Sequence, residues 1–145
     1  MFHDEARFLI ADDSNLTRDL VRTALTQLGL LNVDSAADGA VALEKIKVAA
    51  DEGKPYDLVF TDINMPKIDG LLLLETVRSN LKTRNTPVII VTTESAKQSV
   101  VRAVMQGVSG YMVKPFGVED VKKKVKEIHD RISAQAPGAP STPNR

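Results

Sequence analysis

The chain has 145 residues, of which 43% are hydrophobic and 26% charged, and this composition predicts a single soluble globular domain. Lys plus Arg and Asp plus Glu both number 19, so no overall charge indicates a nucleic acid or a membrane surface as the partner. The absence of cysteine excludes disulfides and thiol chemistry, and the longest early apolar run, Phe8–Ala11, is too short for a signal peptide or a membrane helix. We therefore expect a cytoplasmic protein.

Short apolar runs alternate along the chain with segments in which apolar residues recur at helical spacing. In chain order, the first half predicts a strand over Arg7–Ala11, a helix that begins at a Ser14 or Asn15 cap and ends at Gly29, a strand around Asn32–Ala36, a helix over Asp38–Ala50, and a strand over Tyr56–Asp62. The second half predicts a helix over Leu71–Ser79, a strand over Pro87–Thr92, a helix from about Ser95 to Met105, a strand over Gly110–Lys114, and a helix from Val118 to about Ser133. Residues 135–145 are rich in Pro, Gly and Ser, cannot build a core, and are predicted to be disordered.

Five strands that alternate with five helices make a (βα)5 chain. Because short apolar strands joined by helices form parallel sheets covered on both faces, we predict a doubly wound α/β domain. The apolar residues at helical spacing are Leu16, Leu20, Val21, Ala24, Leu25 and Leu28 in the first helix, and Val41, Leu43 and Ile46 in the second. In such sheets the ligand site lies beyond the carboxyl ends of the strands.

Charged and polar side chains follow four of the five predicted strands at that edge. Each has an ordinary structural interpretation, because aspartates after strands often cap helices and a Lys-Pro pair is often a loop. Their joint position at one edge instead indicates a site. The residues concerned are Asp12, Asp13, Asp62, Thr92, Thr93, Lys114 and Pro115.

These residue types predict phosphoryl chemistry. Clustered carboxylates repel one another and need a hard cation, and Mg²⁺ takes carboxylate oxygens together with water and phosphate oxygens. Burying an ionised Asp62 without partners costs several kcal/mol, and Mg²⁺ and Lys114 would supply those partners. Asp62 would then be a carboxylate nucleophile toward phosphorus, with Thr92 as a hydroxyl donor.

Four motifs carry a family resemblance: FLIADDS, LVFTDINMPKIDG, PVIIVTTE and GVSGYMVKPF. In this order and spacing the chain resembles the receiver domains of two-component response regulators, most closely the single-domain chemotaxis regulators of the CheY type. The resemblance covers roughly Arg7 to Ile132, and we assign residues 1–134 to the receiver domain. It implies a flavodoxin-like sheet with strand order 2-1-3-4-5, for which CheY itself is a standard example.

The resemblance implies a role for each motif residue at the strand ends. Asp62 matches the phosphoacceptor, and Lys114, which precedes a Pro115 able to adopt the cis isomer, would pair with the phosphoryl group. The implied Mg²⁺ ligands are Asp12, Asp13, Asp62 and the backbone carbonyl of Asn64. Asp13 would be the more direct ligand of the acidic pair, and Asp12 would act partly through water.

Further residues match the family's switch and its control of phosphoryl lifetime. Thr92 matches the switch hydroxyl, and Tyr111 matches the aromatic side chain that follows it inward. Asn64 and Glu94 flank the line along which water attacks, although Glu94 also fits a solvated acid at a helix start. Many relatives have Ala or Gly at the position of Thr93. The larger Thr93 side chain would restrict access to Asp62 or the packing of Tyr111.

We therefore expect a stand-alone, monomeric phosphorylation switch rather than a conventional enzyme. A CheA-type histidine kinase would phosphorylate it. A flagellar motor switch protein would bind the face made by the fourth helix, fifth strand and fifth helix. The sequence leaves open whether a phosphatase is a further partner. A single-domain receiver of another phosphorelay is the alternative within the class. A Mg²⁺-dependent phosphatase with an Asp nucleophile is the alternative outside it, but such enzymes usually carry a second Asp at the position of Asn64.

Overall fold

The structure is a computed structural model that describes residues 1–93 and 97–134. The first five elements are β1 (Arg7–Ala11), α1 (Asn15–Gln27), β2 (Asn32–Ala36), α2 (Gly39–Asp51) and β3 (Leu58–Asp62). The remaining five are α3 (Gly70–Ser79), β4 (Val88–Thr92), α4 (Lys97–Met105), β5 (Gly110–Val113) and α5 (Val118–Ala134). The helix start predicted near Ser95 and the disordered segment predicted over 135–145 lie outside the described residues.

The five strands form one parallel sheet in the order β2-β1-β3-β4-β5, which confirms the predicted doubly wound fold. Side chains alternate between its two faces, because successive residues of a strand point to opposite sides. In β4, Val88 and Ile90 pack under α2, α3 and α4, whereas Ile89 and Val91 pack under α1 and α5. The β-branched run of β4 is therefore buried on both faces, as its sequence predicted.

The ends of α1 have the caps that the sequence indicated. Ser14 is the N-cap, and its hydroxyl accepts a hydrogen bond from the backbone N–H of Thr17 at 3.2 Å. Gly29 follows the helix with φ of +80°, a left-handed conformation that glycine adopts without steric cost. This cap places Asp12 and Asp13 in the short turn between β1 and α1.

The predicted buried faces of the first two helices need two corrections. Leu16 is 78% exposed, because it lies in the first turn of α1, beyond the core that Val21 and Leu25 fill. Val41 is also exposed, because α2 packs against the sheet through Ala42 and Ile46 instead. The small side chain of Ala42 lets this helix lie close to the sheet. A helix face formed largely by alanine gives only a weak signal in the hydrophobic pattern of the sequence.

Within the described residues, no helix combines the length and the apolar character that crossing a bilayer requires.

Candidate functional site

Strand pairing brings the acidic residues together at the carboxyl edge of the sheet. Ala11 of β1 pairs with Thr61 of β3, so Asp12 and Asp62 emerge side by side. Asp12 and Asp62 are buried and Asp13 is exposed, and one carboxylate oxygen from each lies within 4.8 Å of the others. The three aspartates predicted as a cation site are thus one cluster, open to solvent on the Asp13 side.

Lys114 provides the positive charge of the cluster. It follows β5, and its Nζ lies 3.0 Å from Oδ2 of Asp12 and 3.3 Å from Oδ2 of Asp62. The Lys114–Pro115 peptide bond is cis. One ammonium therefore bridges the two buried carboxylates, and Asp13 is left with its charge toward solvent.

Backbone groups fix the carboxylates of the two buried aspartates. The N–H of Ser14 donates to Oδ1 of Asp12 at 2.9 Å, and the N–H of Asn64 reaches Oδ1 of Asp62 at 3.4 Å. These bonds are local turns, so the strand ends themselves orient the carboxylates. For Asp62, Oδ2 faces Lys114 while Oδ1 faces the loop that contains Asn64.

The surroundings of Asp62 disfavour its charge. Burial raises the pKa of the Asp62 carboxyl, the nearby charge of Asp12 raises it further, and Lys114 only partly opposes these effects. For Lys114, burial lowers the pKa, but its hydrogen bond to Asp12 and the charges of both aspartates outweigh burial, so that the pKa is raised. Lys114 is thus held as a cation, and the cluster still favours additional positive charge.

The predicted switch residues lie on the two strands beyond Asp62. Val91 of β4 pairs with Asp62, so Thr92 is one position nearer the same edge, and it is buried with its hydroxyl donating to the Thr93 carbonyl at 3.3 Å. Tyr111 of β5 is 45% exposed. Thr93 is exposed beside the site, and Glu94 lies outside the described residues.

Two residues that support the site were not singled out from the sequence. Arg18 of α1 donates to the backbone carbonyl of Asp12 at 2.5 Å and contacts Asn15. A Cβ built on Gly70 would lie 2.1 Å from the carbonyl oxygen of Asp62, so only glycine allows α3 to start this close to β3. The sequence does not indicate this contact, since the approach of Gly70 to Asp62 depends on the fold.

The donor set determines which ligand this edge can hold. Carboxylate oxygens are hard ligands, and a carboxylate cluster that is only partly neutralised attracts a hard divalent cation with some open coordination positions. Such a cation beside a carboxylate and an ammonium is the arrangement that phosphoryl transfer needs, since its catalysis depends on positioning and charge neutralisation. The site therefore has the parts for transfer of a phosphoryl group to Asp62.

Comparison with known proteins agrees with this chemistry. Residues 8–126 match the response regulator receiver domain family. The chain is 35% identical over 126 residues to chemotaxis protein CheY-3 of Vibrio cholerae, covering 87% of this chain and 93% of that one. It is 34% identical over 127 residues to chemotaxis protein CheY of Pseudomonas aeruginosa, covering 88% of this chain and 98% of that one.

A solved structure shows the same fold. The chemotaxis response regulator CheY4 of Vibrio cholerae superimposes with a TM-score of 0.75 at 32% sequence identity. The match covers 85% of this chain and 98% of that one.

Proposed function

The chain belongs to the response regulator receiver domain family, whose members are switches that histidine kinases phosphorylate, and on that premise we propose that it is a response regulator phosphorylated on Asp62. The observation that carries the proposal is the cluster of Asp12, Asp13 and Asp62 with Lys114 bridging its two buried members. We assign residues 1–134 to the receiver domain and place the protein in the cytoplasm.

Phosphoryl transfer would proceed by attack of Asp62 on phosphorus. A carboxylate oxygen of Asp62 forms the new O–P bond as the N–P bond of the kinase's phosphohistidine breaks, and the imidazole leaves with the electron pair. Lys114 then pairs with the phosphoryl oxygens, since its ammonium already contacts Oδ2 of Asp62.

The acidic cluster is typical of the Mg²⁺ site of receiver domains. In our proposal Asp13 and Asp62 hold the ion directly, the Asn64 carbonyl adds a ligand, and Asp12 contributes partly through water. The bound ion would neutralise charge that develops on the phosphoryl oxygens. The raised pKa of the Asp62 carboxyl fits this assignment, because burial and the neighbouring charge of Asp12 disfavour the ionised form and Lys114 only partly offsets them.

The output would be a shift of the face formed by α4, β5 and α5. Thr92 moves its hydroxyl from the Thr93 carbonyl to a phosphoryl oxygen, and Tyr111 then turns inward to fill the space. The exposed ring of Tyr111 is the starting point that this movement needs. Asn64, Thr93 and Glu94 would set the lifetime of the phosphoryl group by controlling the access of water.

Chemotaxis is the signalling pathway that the relatives of this chain support best. Curated relatives that are 34–35% identical over most of the chain are named chemotaxis proteins. We therefore propose a CheA-like histidine kinase as the donor and a flagellar motor switch protein as the binding partner. A receiver that shuttles phosphate in another phosphorelay is the alternative.

Deletion of the gene tests this pathway. We expect the deletion strain to swim with a changed reversal or tumbling bias, and wild-type protein but not Asp62→Asn to restore it. Normal swimming bias in the deletion strain, together with efficient phosphoryl transfer from Asp62 to a histidine phosphotransfer protein, would replace chemotaxis with the phosphorelay alternative.

A further inference from the structure

The loop between β3 and α3 contains the carbonyl that the proposed function assigns to Mg²⁺, and α2 touches this loop. The loop runs over residues 63–69, with Asn64 near its start. Its two ends are tied directly, since the N–H of Gly70 donates to the Ile63 carbonyl at 2.8 Å. The middle of the loop needs a separate support if Asn64 is to stay in place.

That support comes from the first turn of α2. The N–H of Gly39 donates to the Pro66 carbonyl at 3.3 Å, and Nζ of Lys67 lies 3.6 Å from Oδ2 of Asp38. We name this arrangement the α2–loop contact; its members are Asp38, Gly39, Pro66, Lys67 and Ile68.

Gly39 is the closest point of the α2–loop contact. A Cβ built there would lie 1.7 Å from the carbonyl oxygen of Ile68 and 2.6 Å from its carbonyl carbon. Both are backbone atoms, so any side chain at this position would displace the loop or the helix by more than an ångström. Ala42 and Ile46 bury α2 in the core, whereas four of the seven loop residues are exposed and Ile68 is only partly buried. We therefore expect the loop to be the part that moves.

The loop conformation at this contact is itself unfavourable. Lys67 has φ of +70°, and among the described residues it is the only non-glycine residue with positive φ. The N–H of Ile68 donates to the Pro66 carbonyl at 2.8 Å, which closes a three-residue turn around Lys67. A strained turn persists only where its surroundings hold it, and here α2 provides those surroundings.

We propose that Asp38 and Gly39 are positioning residues for Mg²⁺ binding, acting through the β3–α3 loop on the Asn64 carbonyl and on Asp62. Gly39 sets how close the loop can lie to α2, and Asp38 keeps the first turn of α2 formed by accepting from the Val41 N–H at 2.8 Å. The inference rests on the proposed function for the identity of the cation. Mutation of groups that orient metal ligands without touching the metal typically lowers the protein's affinity for the metal by about ten- to a hundredfold.

Gly39→Ala tests the proposal with two readouts. In metal-free protein, we expect faster amide hydrogen exchange at Ile68 and Gly70, measured by NMR. In a Mg²⁺ titration of the same sample, followed by amide shifts, we expect affinity to fall by about tenfold. A general effect on the helix predicts neither result, because Ala is ordinarily the better helix former.

Gly53→Ala is the matched control. Gly53 lies just after α2 with φ of +76°, and a Cβ there would meet nothing within 4 Å. It therefore introduces backbone strain beside the same helix without touching the loop. We expect its loop exchange and Mg²⁺ affinity to equal those of the wild type.

Asp38→Ala adds a second variant that inserts no atoms. It removes the cap of α2, so both readouts should change in the same direction as in Gly39→Ala but less, and it decides the question if Gly39→Ala does not fold. The proposal would be overturned if a folded Gly39→Ala variant showed the loop exchange and the Mg²⁺ affinity of the wild type. If Gly39→Ala does not fold, the same result in Asp38→Ala would overturn it. If the wild type itself bound no Mg²⁺, the proposed function would fail instead, and the metal-free exchange would still decide whether α2 holds the loop.

Discussion

At the scale of single residues, Asp62 is the group whose charge depends most on its surroundings. Its pKa is raised by burial and by Asp12, so the metal-free fold binds a proton there more tightly than the unfolded chain does. The stability linked to this proton is present below the ordinary Asp pKa of 3.8 and is lost as the pH rises through the raised value. At neutral pH the ionised carboxylate therefore destabilises the metal-free protein.

Asp62→Asn should consequently raise the melting temperature of the protein in EDTA at pH 7. The difference should shrink as the pH falls toward 3.8, where the wild-type carboxyl becomes neutral, and thermal unfolding followed by circular dichroism at several pH values would measure it. Asp19→Asn, at an exposed position of α1, is the control and should show no such trend. A less stable Asp62→Asn variant at pH 7 would contradict the balance of charges described here.

Thr92 should couple the phosphoryl group to Tyr111. With beryllofluoride on Asp62 as the phosphoryl analogue, a hydrogen bond from the Thr92 hydroxyl to a charged acceptor contributes about 1.5–3 kcal/mol, or about ten- to a hundredfold in the switch equilibrium. Thr92→Ala should still bind the analogue but lose most of the shift of Tyr111 signals in NMR spectra. Thr92→Ser keeps the hydroxyl and should retain the shift; an equal loss in both variants would assign the effect to packing instead.

At the scale of elements, the sequence predicted the strands better than the helix faces. The bounds of β1 and β4 agree with the predicted runs within one residue, because an apolar run between polar turns has few other placements in a parallel sheet. The exposed positions of Leu16 and Val41 could not be predicted in this way. Hydrophobic spacing identifies a helix, but alanines can form its buried face when the helix packs closely.

Arg78 joins three elements through backbone carbonyls. Its guanidinium, on α3, donates to Thr86 at 2.6 Å, to Gly107 at 3.0 Å and to Arg84 at 3.1 Å, which ties α3 to the segments flanking β4 and α4. Arg78→Met keeps much of the side-chain volume but leaves these carbonyls without their charged donor, so we expect a loss of about 2 kcal/mol in unfolding free energy. Urea denaturation would measure it, with Arg84→Met at an exposed position as the control. Equal stability of both variants would show that water replaces these bonds without cost.

At the scale of the whole molecule, the site could be predicted because a parallel sheet brings its carboxyl ends to one edge. Four polar strand ends were enough to predict that Asp12, Asp62 and Lys114 would meet, and they do. The roles of Gly39 and Gly70 could not be predicted, because each depends on a close approach between two backbone segments. Gly39 lies against Ile68, which is distant in sequence, and Gly70 lies against Asp62, where the chain folds back on itself. Local sequence supplies the reacting groups, whereas the fold supplies their support.

The central claim is that Asp62 accepts a phosphoryl group in a Mg²⁺-dependent reaction. Its most direct test is the intact mass of the protein after incubation with acetyl phosphate, for wild type and Asp62→Asn, with Mg²⁺ or with EDTA. We predict one added phosphoryl group in the wild type with Mg²⁺ and none in the other three samples, because an amide is a far poorer nucleophile than a carboxylate. A phosphoryl adduct of equal yield in Asp62→Asn, or one that EDTA does not reduce, would contradict the account.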